Sequence, residues 1–420
     1  VRPLRRLLAP RAVRLLAPRA ARVAPLCAGA VLAAALAGCG GRTVVVRAPN
    51  VTVGVSSNSP HAAQEIGFPA LATKNTTRVA GADPVADAAG VALAVFPSIG
   101  SGTHPAAVTI APTDDWQAAL ASAVMMASPI RAPVLLSGAA RLPSATAQAL
   151  SLLAPTGAVG AGGVQVIRVG DVPGVAGQRS VHIAGNGPYA LAAAIDRFQT
   201  ASVGKASSDV VVASAEEPQY AMPAAGWAAE SGDPILFVSG SGVPAATRQA
   251  LLAHQRPHIY VLGPPSAVPQ SVLAQLSRYG TVSRVGADDP AANSVAFAAY
   301  RDPPCANGQP CAHVPGSFGW ALRSPGHGYV LVNASRTLDA AAAAPLSASG
   351  SFGPLLLVED PAKLPSAVLS YFLDYATPGY TQEGPTAAVY NHGWVIGDQR
   401  AVSVSVQAEM DTLLEAVPQR

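Results

Sequence analysis

Short apolar runs alternate with alanine-rich stretches through most of this chain, and the alternation repeats three times. One kind of run starts on proline: Pro133-Val-Leu-Leu-Ser137, Pro234-Ile-Leu-Phe-Val-Ser239 and Pro354-Leu-Leu-Leu-Val358. A second kind precedes it: Ala107-Val-Thr-Ile110, Asp209-Val-Val-Val212 and Tyr329-Val-Leu-Val332. A third follows: Gln165-Val-Ile-Arg-Val-Gly170, His258-Ile-Tyr-Val-Leu-Gly263 and Trp394-Val-Ile-Gly397. Short continuous runs rich in Val, Ile and Leu, bounded by turn residues, predict strands buried on both faces. The stretches between them predict helices. Leu142-Pro-Ser-Ala-Thr, Val243-Pro-Ala-Ala-Thr and Leu364-Pro-Ser-Ala-Val each place proline in the first helical turn, where its missing N–H costs nothing.

A fourth landmark opens each unit. Arg78-Val-Ala-Gly-Ala-Asp83-Pro, Ile183-Ala-Gly-Asn-Gly-Pro188 and Arg284-Val-Gly-Ala-Asp288-Asp-Pro290 each lead into an alanine-rich helical run. Strands that alternate with helices predict an α/β fold, here three tandem small modules, each a parallel sheet covered by helices. The predicted repeats cover residues 77–180, 181–281 and 282–420. The third is longer because of an insertion near 303–325, which holds Cys305 and Cys311.

Composition changes the picture mainly at the N-terminus. The chain has 420 residues, 50% hydrophobic and only 12% charged, which excludes bulk disorder. A low charged fraction also suits sheets covered on both faces. Of 27 basic residues, seven arginines lie in residues 1–38, which contain no acid; the remaining 20 face 24 acids, a net charge of −4. The overall charge of +3 is therefore a property of the leader, and a nucleic-acid-binding role loses its support. The arginine-rich stretch is followed by an apolar run from Val23 that ends Leu36-Ala37-Gly38-Cys39. That order predicts a lipoprotein signal peptide over 1–38, lipidation of Cys39 and a polar tether over 39–76. In an exported protein, Cys305 and Cys311 read as a small disulfide; a zinc site using them with His313 would need further ligands.

The Arg-x-x-Gly-x-Asp opening at Arg78–Asp83, the Asp-Ala-x-Ala helix start from Asp339, the Pro-x-Leu-Leu strands and the Val-Leu-Gly263 ending resemble the cell wall binding repeat 2 family of Gram-positive bacteria. The resemblance spans most of residues 77–420, as three diverged copies. It implies three modules about a pseudo-threefold axis and non-covalent attachment to anionic cell-wall polymer. The chain departs from the family pattern in places. Asp83-Pro, Asn186-Gly-Pro and Asp288-Asp-Pro stand where the family has Asp-Arg-Tyr. Gln117 and Gln219 replace the helix-start aspartate in two copies.

Ligands of parallel α/β sheets bind beyond the carboxyl ends of the strands. Three polar turns fall there and supply the candidate ligand-binding residues Asp114, Asp115 and Gln117, then Glu216, Glu217 and Gln219, then Asn333, Arg336 and Asp339. Helix capping is the competing explanation for the acids among them. Arg78 and Arg284 recur at repeat starts and could hold phosphate or carboxylate in a bidentate fork, or form interdomain salt bridges. No phosphate-binding loop, G-x-S-x-G nucleophile elbow or H-E-x-x-H pair occurs in the sequence. The sequence thus predicts a non-catalytic cell-envelope lipoprotein that binds anionic cell-wall polymer or peptidoglycan. The lipid on Cys39 would hold it to the outer face of the cytoplasmic membrane. No cofactor, metal or nucleic acid is expected. A solute-binding lipoprotein for a small polar ligand is the alternative, and it would need two lobes around one deep cleft.

Overall fold

In the computed structural model, the chain divides into Val1–Asn50 and Val51–Arg420. The structure describes residues 54, 56–59, 71–302, 318–320, 322, 325–375, 379–380, 389–415 and 417–418, all in the second unit. Cys39, Cys305, Cys311 and His313 lie outside the described residues.

The first stretch contains β1 (Leu71–Ala72), β2 (Thr76–Val79), α1 (Pro84–Val95), β3 (Val108–Pro112), α2 (Trp116–Ala121), β4 (Val134–Ser137), α3 (Ser144–Leu153) and β5 (Val166–Val169). Next come β6 (Ser180–Ile183), α4 (Pro188–Val203), β7 (Asp209–Ser214), α5 (Pro218–Ala221), α6 (Pro223–Ser231), β8 (Ile235–Val238), α7 (Ala245–Ala253), β9 (His258–Leu262) and α8 (Gln270–Leu276). The last stretch holds β10 (Thr281–Val285), α9 (Pro290–Ala299), β11 (Gly328–Asn333), α10 (Thr337–Ser347), β12 (Leu355–Val358), α11 (Ser366–Ser370), β13 (Gly379–Tyr380), β14 (His392–Ile396), α12 (Val404–Leu413) and β15 (Val417–Pro418).

Three sheets carry the architecture. Their orders are β4-β3-β5-β6, β8-β7-β9-β10 and β12-β11-β14-β2-β1. All pairings within them are parallel except β1 with β2. The fold class is the α/β arrangement that the apolar runs predict. The central strands β3, β7 and β11 are buried at every position, because helices cover both faces.

The fourth strand of each sheet comes from the next landmark along the chain. Strand β6, which contains Ile183, pairs with β5; β10, which contains Arg284, pairs with β9. In the third sheet that place is taken by β2, with Arg78, which pairs with β14: Arg78 sits opposite Val395 and Val79 opposite Ile396. The helix that follows each such strand crosses to the neighbouring module. Helix α1 packs on β4 and α3, α4 on β8 and α7, and α9 on β12 and α11. Strand and helix of one landmark therefore serve two modules, and β2 and α1 join the third sheet to the first.

At the centre, the helices that follow β3, β7 and β11 meet one another: α2 touches both α6 and α10, and α6 touches α10. Every residue from Asp339 to Ser347 of α10 is buried, which is why this helix lacks a polar face. Small side chains let the backbones approach closely. At Gly226 of α6, a Cβ would come within 2.7 Å of Ser347 Oγ on α10.

Candidate functional site

The three polar turns sit at the carboxyl ends of β3, β7 and β11; the first and third open α2 and α10, and the second opens the short α5 that leads into α6. In the first, Asp115 caps α2 by accepting from the Ala118 N–H at 2.8 Å, and burial pushes its carboxyl up. Asp114 beside it is exposed. Gln117 reaches out of its own module, donating from Nε2 to the Ala215 carbonyl at 2.8 Å. Trp116 packs edge-on against Phe237, with ring centroids 5.6 Å apart. Turns one and two are thus brought together.

In the second turn, Gln219 Nε2 donates to Glu217 at 2.8 Å, and exposed Glu216 accepts from the Gly240 N–H at 3.1 Å. Tyr220 donates from its hydroxyl to the Asp288 carbonyl at 2.6 Å, and its carbonyl accepts from Asn293 Nδ2 at 3.3 Å. Burial first, and then the charges of Glu217, Asp289, Asp288 and Glu359, raise the Tyr220 hydroxyl above its usual range. These acids mark a negatively charged seam between modules two and three. A cleft of about 290 Å³ opens there, lined by Asp289, Glu359, Asp360, Lys363, Pro365 and Ser366 among others.

The third turn is inward-looking. Asn333 is buried; its Nδ2 donates to the Ala401 carbonyl at 2.7 Å, and its Oδ1 accepts from Ser335. Arg336 forms ion pairs with Asp87 at 2.5 Å and Asp339 at 2.6 Å. Both aspartates are fully buried, and burial raises both carboxyls, Asp339 to about 6. Asp87 lies on α1, so this cluster joins α10 to α1.

The two arginines expected as anion ligands serve the backbone. Arg78 is completely buried, and its guanidinium donates to Gln407 Oε1 at 2.8 Å, the Gly397 carbonyl at 2.7 Å and the Ser403 carbonyl at 3.3 Å. Burial lowers its pKa to about 10. Arg284 donates to the carbonyls of Gly263 and Val268. His182 holds the equivalent place in sheet one, with Nε2 2.9 Å from the Gly170 carbonyl. All three address the glycine that ends the neighbouring strand, where the backbone turns with positive φ at Gly170, Gly263 and Gly397.

Of the expected turn residues, Asp114 and Glu216 remain exposed at this edge. Sequence reading missed four contributors: Arg400, Asp398, Gly54 and Ser57. Exposed Arg400 pairs with buried Asp398 at 2.8 Å. Gly54 and Ser57 dock on the same rim, through Asp398 at 2.9 Å and Asp83 at 3.0 Å respectively. No local signal in the sequence marks Asp398 as an anchor for Gly54, more than 300 positions away. Among the described residues, no cluster of His, Cys, Asp and Glu is arranged to hold a metal ion.

Residues 182–273 match the family described as Cell wall binding domain 2 (CWB2). That stretch runs from β6 into α8 and includes turn two with Glu216, Glu217 and Gln219. Among solved structures, Cwp8 from Clostridium difficile matches with a TM-score of 0.59 and 16% identity, over 82% of this chain and 53% of its own. Cwp6 from the same organism matches with a TM-score of 0.62 and 15% identity, over 83% of this chain and 50% of its own. The chain therefore spans about half the length of these structures, and the likeness is one of fold. Comparison with curated proteins gives no match.

Proposed function

Starting from the cell wall binding domain at 182–273 and a fold shared with Cwp8 and Cwp6, we propose that this protein is a non-catalytic cell-envelope lipoprotein that binds cell-wall polymer. The observation that carries the reading is the family match, because it covers a complete polar turn and the strands that present it. In this reading the lipid on Cys39 tethers the chain to the membrane, and the rim formed by the three turns faces the wall. Several weak contacts around one rim raise the effective concentration of each for the next.

The chemistry of the rim narrows how polymer is held. The guanidiniums of Arg78 and Arg284 are spent on carbonyls, whereas Asp114, Glu216, Asp289, Glu359 and Asp360 are exposed. Carboxylates accept hydrogen bonds from sugar hydroxyls and repel bare phosphates, so contact runs through hydroxyls or through bridging cations. The experiment is co-sedimentation of the Cys39→Ser chain with wall sacculi, with and without their secondary polymers. Retention on complete sacculi and loss from stripped ones is the expected result. Equal flow-through from both overturns the proposal.

A further inference from the structure

Aromatic side chains are scarce in this chain, at 5% of residues, yet they gather between modules two and three. Trp227 packs edge-on against Trp320, with centroids 5.2 Å apart, and Trp320 stacks on Phe352 at 6.4 Å. Beside them is a cavity of about 400 Å³, within the range of small-molecule sites. Its described lining is Asp209, Trp227, Glu230, Ser231, Asp233, Gly319, Trp320 and Phe352. It opens at the amino ends of β7 and β8, since Asp209 starts β7 and Asp233 stands two residues before β8. The polar turns are at the opposite ends of the same strands.

The lining carries three carboxyl groups and no base among the described residues. Asp233 is fully engaged: Ser207 Oγ donates to it at 2.6 Å and Trp227 Nε1 at 2.8 Å. Asp209 is different. It is 6% exposed, its Oδ2 accepts from Ser208 at 2.7 Å, and its Oδ1 has no hydrogen-bond partner. Trp320 is 5% exposed, and its indole N–H is also without a partner. A buried acceptor and a buried donor left unpaired cost free energy that a ligand can recover. Ser231 cannot serve, because its hydroxyl donates to the Trp227 carbonyl and accepts from the Asp233 N–H.

We propose that this cavity binds a protonated amino sugar, a hexosamine without its N-acetyl group. An excess of carboxylates over donors asks for a cationic donor, and aromatic faces attract ammonium groups and the C–H faces of sugar rings. The ammonium group is assigned to Asp209, the ring face to Trp320 and Phe352, and a neighbouring hydroxyl to the Trp320 N–H. Phe352, 38% exposed, forms the outer wall. The assignment stands apart from the wall-polymer reading, since it uses other residues at the other end of the sheet.

Two of the four tryptophans line the cavity, so fluorescence titration of the natural chain with glucosamine reads the site directly. A saturable change is expected with glucosamine, at least tenfold weaker with N-acetylglucosamine and with glucose. Asp209→Asn and Phe352→Ala should each weaken it at least fivefold. Phe352→Ala is the safer variant, because its side chain is partly exposed and its unfolding midpoint should hold. No saturable response to glucosamine in the natural chain overturns the assignment. So does an equal response to all three sugars, or a folded Phe352→Ala chain that titrates like the natural one.

Discussion

Arg78 shows how far a residue's role depends on what surrounds it. A guanidinium at a repeat start is chemically suited to phosphate, but here it is sealed from water and divided among Gln407, Gly397 and Ser403. Each acceptor lies more than 300 residues away in sequence. Arg78→Met would keep most of the volume and leave those oxygens unpaired, at about 1–3 kcal/mol for each buried acceptor. We expect a loss of at least about 2 kcal/mol, measured as a lower urea midpoint at an unchanged slope. Arg284→Met should cost clearly less, because Arg284 is only half-buried and water can replace its donors. Equal losses in the two variants would contradict this account.

At the scale of elements, the landmark helices distinguish the three seams. The position three residues after the proline that opens each landmark helix (Pro84, Pro188, Pro290) is Asp87 in α1, Leu191 in α4 and Asn293 in α9. Asp87 pairs with Arg336, Asn293 donates to the Tyr220 carbonyl, and Leu191 packs against Gly170. An ion cluster, an amide and an apolar contact make the seams unlike one another. The ion cluster also makes one seam sensitive to pH. Burial raises the carboxyls of Asp87 and Asp339, so the folded chain binds protons that the unfolded chain has released above its carboxylate pKa of about 4. Stability from this source is fully present below about pH 4 and is lost as pH rises through about 6, because the folded state holds more protons across that window. The Asp339→Asn chain should show a flatter fall in urea midpoint between pH 4.5 and 7 than the natural chain. Parallel curves for the two would refute the proton assignment.

For the whole molecule, the decisive contact is between β2 and β14, more than 300 positions apart. Strand β2 forms the fourth strand of the third sheet, and α1 then covers the first. Without β2, strand β14 would present an open edge, and Arg78 would no longer tie the sheet to α12. A chain that begins at residue 80 is therefore expected to lose a single cooperative unfolding transition and to form oligomers, read by size-exclusion chromatography. A monomer that unfolds like the natural chain would show that closure contributes little. The same geometry explains why sequence repeats and sheets are out of step. Each landmark is one continuous motif in the chain, yet its strand completes one sheet and its helix covers the next.

Most of the strands and the helix starts were legible because their signals are local. Pro354-Leu-Leu-Leu-Val358 contains the fully buried strand β12, and Leu364-Pro-Ser-Ala leads into α11, as their residues predict. The parallel α/β class follows from their alternation alone. Tertiary structure decided the rest, because the partner of a buried polar group is chosen by elements that are distant along the chain. It turned Arg78, Arg284 and Asn333 toward carbonyls of their own chain. It joined Arg336 to Asp87 across 249 positions. It also brought Asp209, Trp320 and Phe352 around one cavity, which no spacing in the sequence marks.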